Sequence, residues 1–471
     1  MIVIALGRIF TVVVSILSLK IATHILSTAD YGRWILFNTI TSFFVLYLIS
    51  PVGHFLNRQT HEWIKSESLI QNLNNFNWYL IGISILSAFV MLVDFFAFRV
   101  FSSNLTLFTI AILPLGILFV TLNQTYIPIF NLIEKRWTFI ILSNLTGLLS
   151  ILLSFIATQS LLPNAEGWFL GMISGNLILG IFAYNKIRKL YGSTSSAVFS
   201  KPQFGNYRSI LKFSLPLALV TGFGWLQSQG YRFIIDRNLG LESLAFFATG
   251  YSVSSGILAS VDSILNTYFL PSFYKNINLD SANQAWLNFL EKMLFPLLST
   301  SLMLGFFSDF FVKIFLAEKY EHVFVYVMWG AACETLRIIN NLFQLLGHAN
   351  KKTKHLIFPS VLGPALTIIS LVYFISKFQI NAIGPSLLIG LLSTLFSYAI
   401  FYREKLKQVK LKKLLHTAFF IIILVILFNM THHYITNTFL SFFIGFAVYC
   451  ALNIYFLHDH LKFKIKEPSS K

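Results

Sequence analysis

The residues with the most chemistry in this sequence are charges placed where charge is costly. Arg8, Lys20, Asp262, Glu334 and Arg337 fall inside long apolar runs, and Arg232 directly follows the end of another run, which carries Trp225. A charged side chain at membrane depth is strongly disfavoured unless it faces protein or water, so each of these residues is a functional candidate. On a helical wheel, at about 100° per residue, Thr11, Ser15, Ser18 and Ala22 lie within roughly 80° of Arg8. The other faces of that helix are Val, Ile, Leu and Phe. This stripe predicts that Arg8 faces a cavity, with snorkelling to the headgroups as the alternative. Lys20 lies off the stripe, and for it snorkelling competes more strongly. Thr221, Trp225, Ser228, Arg232 and Asp236 share one face of a second run. Ser252, Ser255, Asp262 and Asn266 share a third, and Glu334, Arg337, Asn341 and Gln344 a fourth. Hydrogen bonding between helices accounts for the neutral members of these stripes. The charges need partners or ligands. Glu334 and Arg337 are three residues apart and can also pair with each other, so a structural and a functional role both stay open for that pair.

The elements that must position these residues are membrane-spanning helices. The chain has 471 residues, 56% of them hydrophobic and 11% charged, with 50 Phe and 8 Trp. Mean hydropathy is +0.72, more apolar than a soluble core requires. Fourteen runs are long enough to cross a bilayer. They lie near residues 3–26, 32–53, 76–98, 105–130, 139–162, 168–190, 210–231, 245–268, 286–308, 324–346, 355–377, 383–402, 414–430 and 437–457. The expected fold class is therefore an all-α polytopic membrane protein. The formal net charge of +17 is unevenly spread. Loops on the side shared by both termini hold about 25 Lys and Arg, against about 7 on the other, which predicts cytoplasmic termini. The basic runs Lys186–Lys189 and Arg403–Lys413 are expected to set topology and to contact anionic lipid; no nucleic acid is expected as a partner. Cys333 and Cys450 both fall within spans and predict neither a disulfide nor a metal site. Asn104-Leu-Thr and Asn144-Leu-Thr match a glycosylation pattern, the second inside a span, and both matches are read as chance.

A shift of about 213 to 217 residues brings the two halves into correspondence. Ile25–Gly32 then meets Asn238–Ala245, Thr121 to Asn131 meets Thr335 to Gln344, and Gly147 and Gly167 meet Gly363 and Gly384. A unit of six helices has even parity, so its copy enters the membrane in the same direction. The two six-helix lobes are then related by a pseudo-two-fold axis along the membrane normal. The expected organisation is an N-lobe over 1–190, a cytoplasmic linker over 191–209 and a C-lobe over 210–402. A basic loop, two further spans and a cytoplasmic tail occupy 403–471. Such an architecture places a substrate path between the lobes. There is no P-loop and no H-E-x-x-H motif, and the outer loops are too short to fold a catalytic domain. His432 and His433 are expected on a short outer loop as ordinary polar material. An enzyme is not expected.

An Arg-bearing first span, the segment Leu26-Ser-Thr-Ala-Asp-Tyr-Gly32, two six-helix lobes and Ser214-Leu-Pro216 at the start of span 7 together form a pattern. It resembles the polysaccharide-transporter branch, O-antigen flippases included, of the multidrug/oligosaccharidyl-lipid/polysaccharide (MOP) exporter superfamily. The resemblance implies a flippase of the bacterial inner membrane that moves an undecaprenyl-pyrophosphate-linked oligosaccharide, such as an O-antigen unit for lipopolysaccharide, to the periplasmic face. It implies no cofactor beyond an H⁺ or Na⁺ gradient. Its partners would be the lipid-linked substrate, membrane lipids and the polysaccharide polymerase with its chain-length machinery. Arg presents a planar fork suited to phosphate oxygens, and aromatic rings suit sugar faces. On this reading Arg8, Lys20, Trp225, Arg232 and Arg337 bind pyrophosphate and glycan, while Asp262 and Glu334 couple transport to an ion. A drug/cation antiporter of the same superfamily is the alternative, although its site would be dominated by acids. A polytopic glycan polymerase or acyltransferase is a third reading, against which the two-lobe repeat and the short loops argue.

Overall fold

In the computed structural model the described residues are 2–99, 105–191, 207–277, 282–349, 354–407, 411–435 and 438–465, and all their regular structure is helical. A chain this apolar has no water within the bilayer to satisfy its backbone, and helices satisfy it internally. Among the described residues, ten helices are long and apolar enough to cross a membrane. Two of them, Ile210–Tyr274 and Leu356–Phe401, each take in two of the expected runs, and Phe10–Ile25 and His416–Thr431 are shorter apolar helices. Each of the fourteen expected runs thus lies on helix. By packing, the chain divides into two compact units, Met1–Ala245 and Phe246–Lys471. Most of the expected linker falls outside the described residues.

The first unit contains α1 (Ile2–Ile25), α2 (Thr28–Phe44), α3 (Ser50–Lys65), α4 (Leu69–Val93), α5 (Leu107–Leu132), α6 (Arg136–Ser160), α7 (Ala165–Tyr191), α8 (Tyr207–Trp225) and the start of α9 (Tyr231–Ile277). Single π-helical turns join two pairs of these helices. One, Val45–Ile49, links α2 to α3, and the other, Leu226–Gly230, links α8 to α9. The second expected span therefore does not end near residue 53. It continues as helix to Lys65, giving one element of 38 residues. The apolar run stops, but an amphipathic pattern takes over: Pro51, Leu56 and Thr60 are buried, while His54, Arg58 and His61 are exposed. Gly240 has φ 81° and ψ 175°, a conformation open to glycine, and breaks α9 where a loop was expected between spans 7 and 8.

The second unit holds the rest of α9, α10 (Ala282–Phe306), α11 (Ser308–Phe315), α12 (Phe324–Ala349), α13 (Lys354–Phe378), α14 (Ile383–Phe401), the short α15 (Arg403–Leu406), α16 (Leu411–Tyr434) and α17 (Thr438–Ile465). The C-terminal pair α16 and α17 packs on α10. Thr300 and Tyr449 share a hydroxyl hydrogen bond of 2.9 Å, and Asn453 Nδ2 donates to Ser299 Oγ at 3.1 Å. Phe307 meets Phe428 and Phe442 edge-on. His432 and His433 lie in the last turn of α16 rather than on a loop, because the helix runs on to Tyr434.

Candidate functional site

In the first unit α8 packs against α2 and the π turn that follows it. Trp225 is buried there. Its Nε1 donates to Ser42 Oγ at 2.9 Å and to the Thr39 carbonyl at 3.3 Å. Its ring stands edge-on to Phe43, with centroids 4.9 Å apart. The π turn after Trp225 inserts an extra residue, a feature that often re-aims side chains at functional sites. Arg232 follows that turn. Its Nη1 donates to Thr39 Oγ1 at 3.1 Å, and its Nε is buried with no hydrogen-bond partner. Nearby in sequence, Gln229 Oε1 is also buried and unpartnered. Among the described residues Arg232 forms no ion pair. A half-buried guanidinium whose protein partner is a neutral hydroxyl keeps donors for an incoming oxyanion.

The second unit gathers a different set. Glu334 is buried on α12. Its Oε2 accepts from Arg337 Nε at 2.9 Å and from the Tyr251 hydroxyl at 3.3 Å, and its Oε1 accepts from Arg337 Nη2. Arg337 is thus held bidentately by Glu334, while its side chain stays 35% exposed. Asp262, half-buried on α9, accepts from Asn266 Nδ2 at 2.8 Å and lies within electrostatic reach of both Arg337 and Glu334. The cluster carries two carboxylates to one guanidinium. Of the acids, Glu334 is fully engaged and Asp262 is held by an amide, which leaves Asp262 the better placed to take up a proton or a small cation.

Arg8 lies on α1, with its side chain outside the described residues, and Lys20 is exposed on the same helix. Of the stripe around Arg8, Thr11 Oγ1 reaches Asn144 Oδ1 on α6 at 3.0 Å, and Ala22 is buried. Ser15 is exposed and bonds to the carbonyl of Thr11 in its own helix.

The sequence does not signal one charged cluster, because Glu166 and Thr109 lie far along the chain from Asp30 and Arg33. Arg33 Nη1 lies 3.3 Å from Asp30 Oδ1 and 3.9 Å from Glu166 Oε2, and Glu166 Oε1 accepts from Thr109 Oγ1 at 2.8 Å. The segment Leu26–Gly32 builds this corner. Ser27 caps α2 by accepting from the Asp30 backbone N–H at 3.0 Å, Tyr31 is buried, and Asp30 holds Arg33. A Cβ on Gly32 would stand 2.1 Å from the Leu241 carbonyl oxygen, so only glycine allows this approach beside the Gly240 break.

No protein-family model matches this sequence, and no curated protein is significantly similar to it. Solved structures do match. A structure of the lipid II flippase MurJ in an inward closed conformation superposes with a TM-score of 0.69 at 16% identity, covering 98% of this chain and 99% of that one. An inward-facing multidrug resistance MATE family transporter of the MOP superfamily gives 0.63 at 12% identity, covering 86% and 98%. An outward-facing one gives 0.54 at 12%, covering 87% and 95%. The chain has the fold of MOP-superfamily transporters.

Proposed function

We propose that this chain, built on the MOP-transporter fold, flips a prenyl-pyrophosphate-linked oligosaccharide, a surface-polysaccharide unit, from the cytoplasmic to the periplasmic leaflet by alternating access. The observation that carries the reading is Arg232. It is a guanidinium on a spanning helix, with a hydroxyl as protein partner, an unused buried Nε and the buried indole of Trp225 two turns before it. Moving a diphosphate through hydrocarbon requires replacing its water with fixed donors, and an arginine fork without a carboxylate partner supplies them. A likeness to a lipid II flippase over nearly the whole of both chains supports a lipid-linked substrate over a drug. The MATE structures leave more of this chain uncovered.

In this reading Arg232 and Trp225, together with Arg8, Lys20 and Arg337, receive pyrophosphate and glycan, and Asp262 with Glu334 couples transport to H⁺ or Na⁺. The protein would sit in a bacterial inner membrane with both termini cytoplasmic, handing its product to a polymerase. The two-acid cluster around Asp262 and Glu334 is the observation that favours a cation antiporter instead. Deletion separates the two readings. In a strain without a second flippase, loss of this chain should strand lipid-linked oligosaccharide on the inner leaflet and abolish the surface polymer. Normal polymer with altered drug or cation resistance would replace the flippase by the antiporter.

A further inference from the structure

The continuation of α2 into α3 carries polar residues for which the flippase reading gives no use. His54, Arg58, His61 and Lys65 recur at i, i+4, i+7 and i+11, so they share one face of α3. All four are exposed, and among the described residues none has a hydrogen-bond or ion-pair partner. Glu62 flanks the face on one edge, and Glu67 follows the helix. Leu56 and Thr60, on the opposite face, are buried. On the flank of the stripe, Ser214 Oγ donates to the Pro51 carbonyl at 3.3 Å, and Phe55 packs on Phe213 with ring centroids 5.8 Å apart.

The register of this stripe depends on the π turn at Val45–Ile49. With its one extra residue discounted, at about 100° per residue, the four side chains fall within roughly 60° of Thr39, the partner of Arg232. Without that insertion the stripe would be rotated by about 100° and would face elsewhere. The stripe thus continues the line of the Arg232 site along a single helix.

Its reach distinguishes the ligand. The element Thr28–Lys65 has 38 residues, about 57 Å end to end, whereas a bilayer with its headgroups is about 40–45 Å thick. With Thr28 at the level of one headgroup layer, the last turns, from about Arg58 onward, would extend past the other, where phospholipid phosphates do not follow. An interfacial helix would instead lie in the plane of the membrane. The stripe is about 16 Å long, more than one diphosphate occupies and suited to several linked sugars. Arg58 and Lys65 supply cations, and the two imidazoles supply hydrogen bonds and flat faces for sugars.

We propose that His54, Arg58, His61 and Lys65 form a docking stripe for oxyanions, uronate or phosphate, carried on the glycan of the transported lipid, so that the substrate class is an acidic oligosaccharide. The proposal rests on the flippase reading above. The test uses the full chain in phosphatidylcholine proteoliposomes with two prenyl-pyrophosphate trisaccharides, alike except that a terminal glucuronate in one is glucose in the other. The single glucuronate adds one exposed ion pair, which amounts to about a two- to fivefold lower KM for the acidic probe at low salt. The quadruple variant H54Q/R58Q/H61Q/K65Q should abolish this preference and leave the neutral probe unchanged. Wild-type transport of both probes with equal KM, or a preference that survives in the variant, overturns the stripe and spares the flippase reading. No transport of either probe overturns both. An effect of the variant that needs added phosphatidylglycerol and is the same for both probes assigns the stripe to the membrane surface, and the proposal fails.

Discussion

Replacing Arg337 by Ala isolates a buried carboxylate. Glu334 is 3% exposed and takes two of its three side-chain hydrogen bonds from Arg337, the third coming from Tyr251 at 3.3 Å. Removing one partner of a buried pair costs about 3–5 kcal/mol, and the 35% exposure of Arg337 selects the lower end, about 3 kcal/mol. A loss of that size is a large share of a typical folding free energy and should lower membrane abundance several-fold. The double variant R337A/E334Q leaves no stranded charge and should regain most of the loss. The assay is a heat scan of a detergent-solubilised fluorescent fusion, read by size-exclusion, beside its abundance in membranes. A single variant that melts and accumulates like wild type, or a double variant no better than the single, would refute the reasoning. Transport in the double variant then assigns Arg337. Recovery means that the pair is structural, and loss at normal abundance means that Arg337 is a substrate ligand.

Other positions give independent checks. Gly32→Ala sets a Cβ against the Leu241 carbonyl, a backbone group that cannot turn aside, and should destabilise by about 1–3 kcal/mol in the same heat scan; an unchanged melting point would contradict the close approach. Trp225→Phe keeps a ring against Phe43 but loses both Nε1 hydrogen bonds, and should cost about 1 kcal/mol, whereas Trp225→Ala should cost about 3–5 kcal/mol. A Trp225→Phe protein as stable as wild type would remove the hydrogen bonds from the account, and equal effects of the two variants would remove the packing of the ring. Reporter fusions at Asn164 and His433 should read as periplasmic and one within 403–413 as cytoplasmic; a cytoplasmic signal at either of the first two breaks the span count.

The spans were legible because a bilayer imposes both length and polarity on a helix, and the break between spans 7 and 8 was legible as a polar interruption around Gly240. The continuation of span 2 to Lys65 was not, because hydropathy marks where a helix leaves lipid rather than where it ends. Trp225 and Arg232, grouped by spacing, both reach Thr39 although the π turn between them shifts their register, and Glu334 with Arg337 could be paired from i, i+3 geometry. Their tertiary partners could not. Thr39 lies 193 residues from Arg232, and nothing local to either residue signals the contact. A long separation in sequence likewise hid the approach of Glu166 to Arg33. The π turns escaped for another reason: Leu226-Gln-Ser-Gln-Gly230 has the composition of ordinary helix, and the extra residue is decided by packing. In the Leu26–Gly32 segment, Ser27 and Asp30 stand at the spacing of a capping box, but the need for glycine at residue 32 arises from Leu241, more than 200 residues away.

The most direct test of the flippase reading is reconstituted transport of a prenyl-pyrophosphate trisaccharide by wild type, Arg232→Lys and Arg232→Ala, each inserted at equal abundance. Wild type should expose the probe to an impermeant reagent on the far leaflet. Losing two charge-assisted hydrogen bonds should slow Arg232→Ala about a hundredfold or more, with Lys recovering only part of the rate because it keeps the charge and not the fork. An Arg232→Ala protein that transports at the wild-type rate would contradict the account.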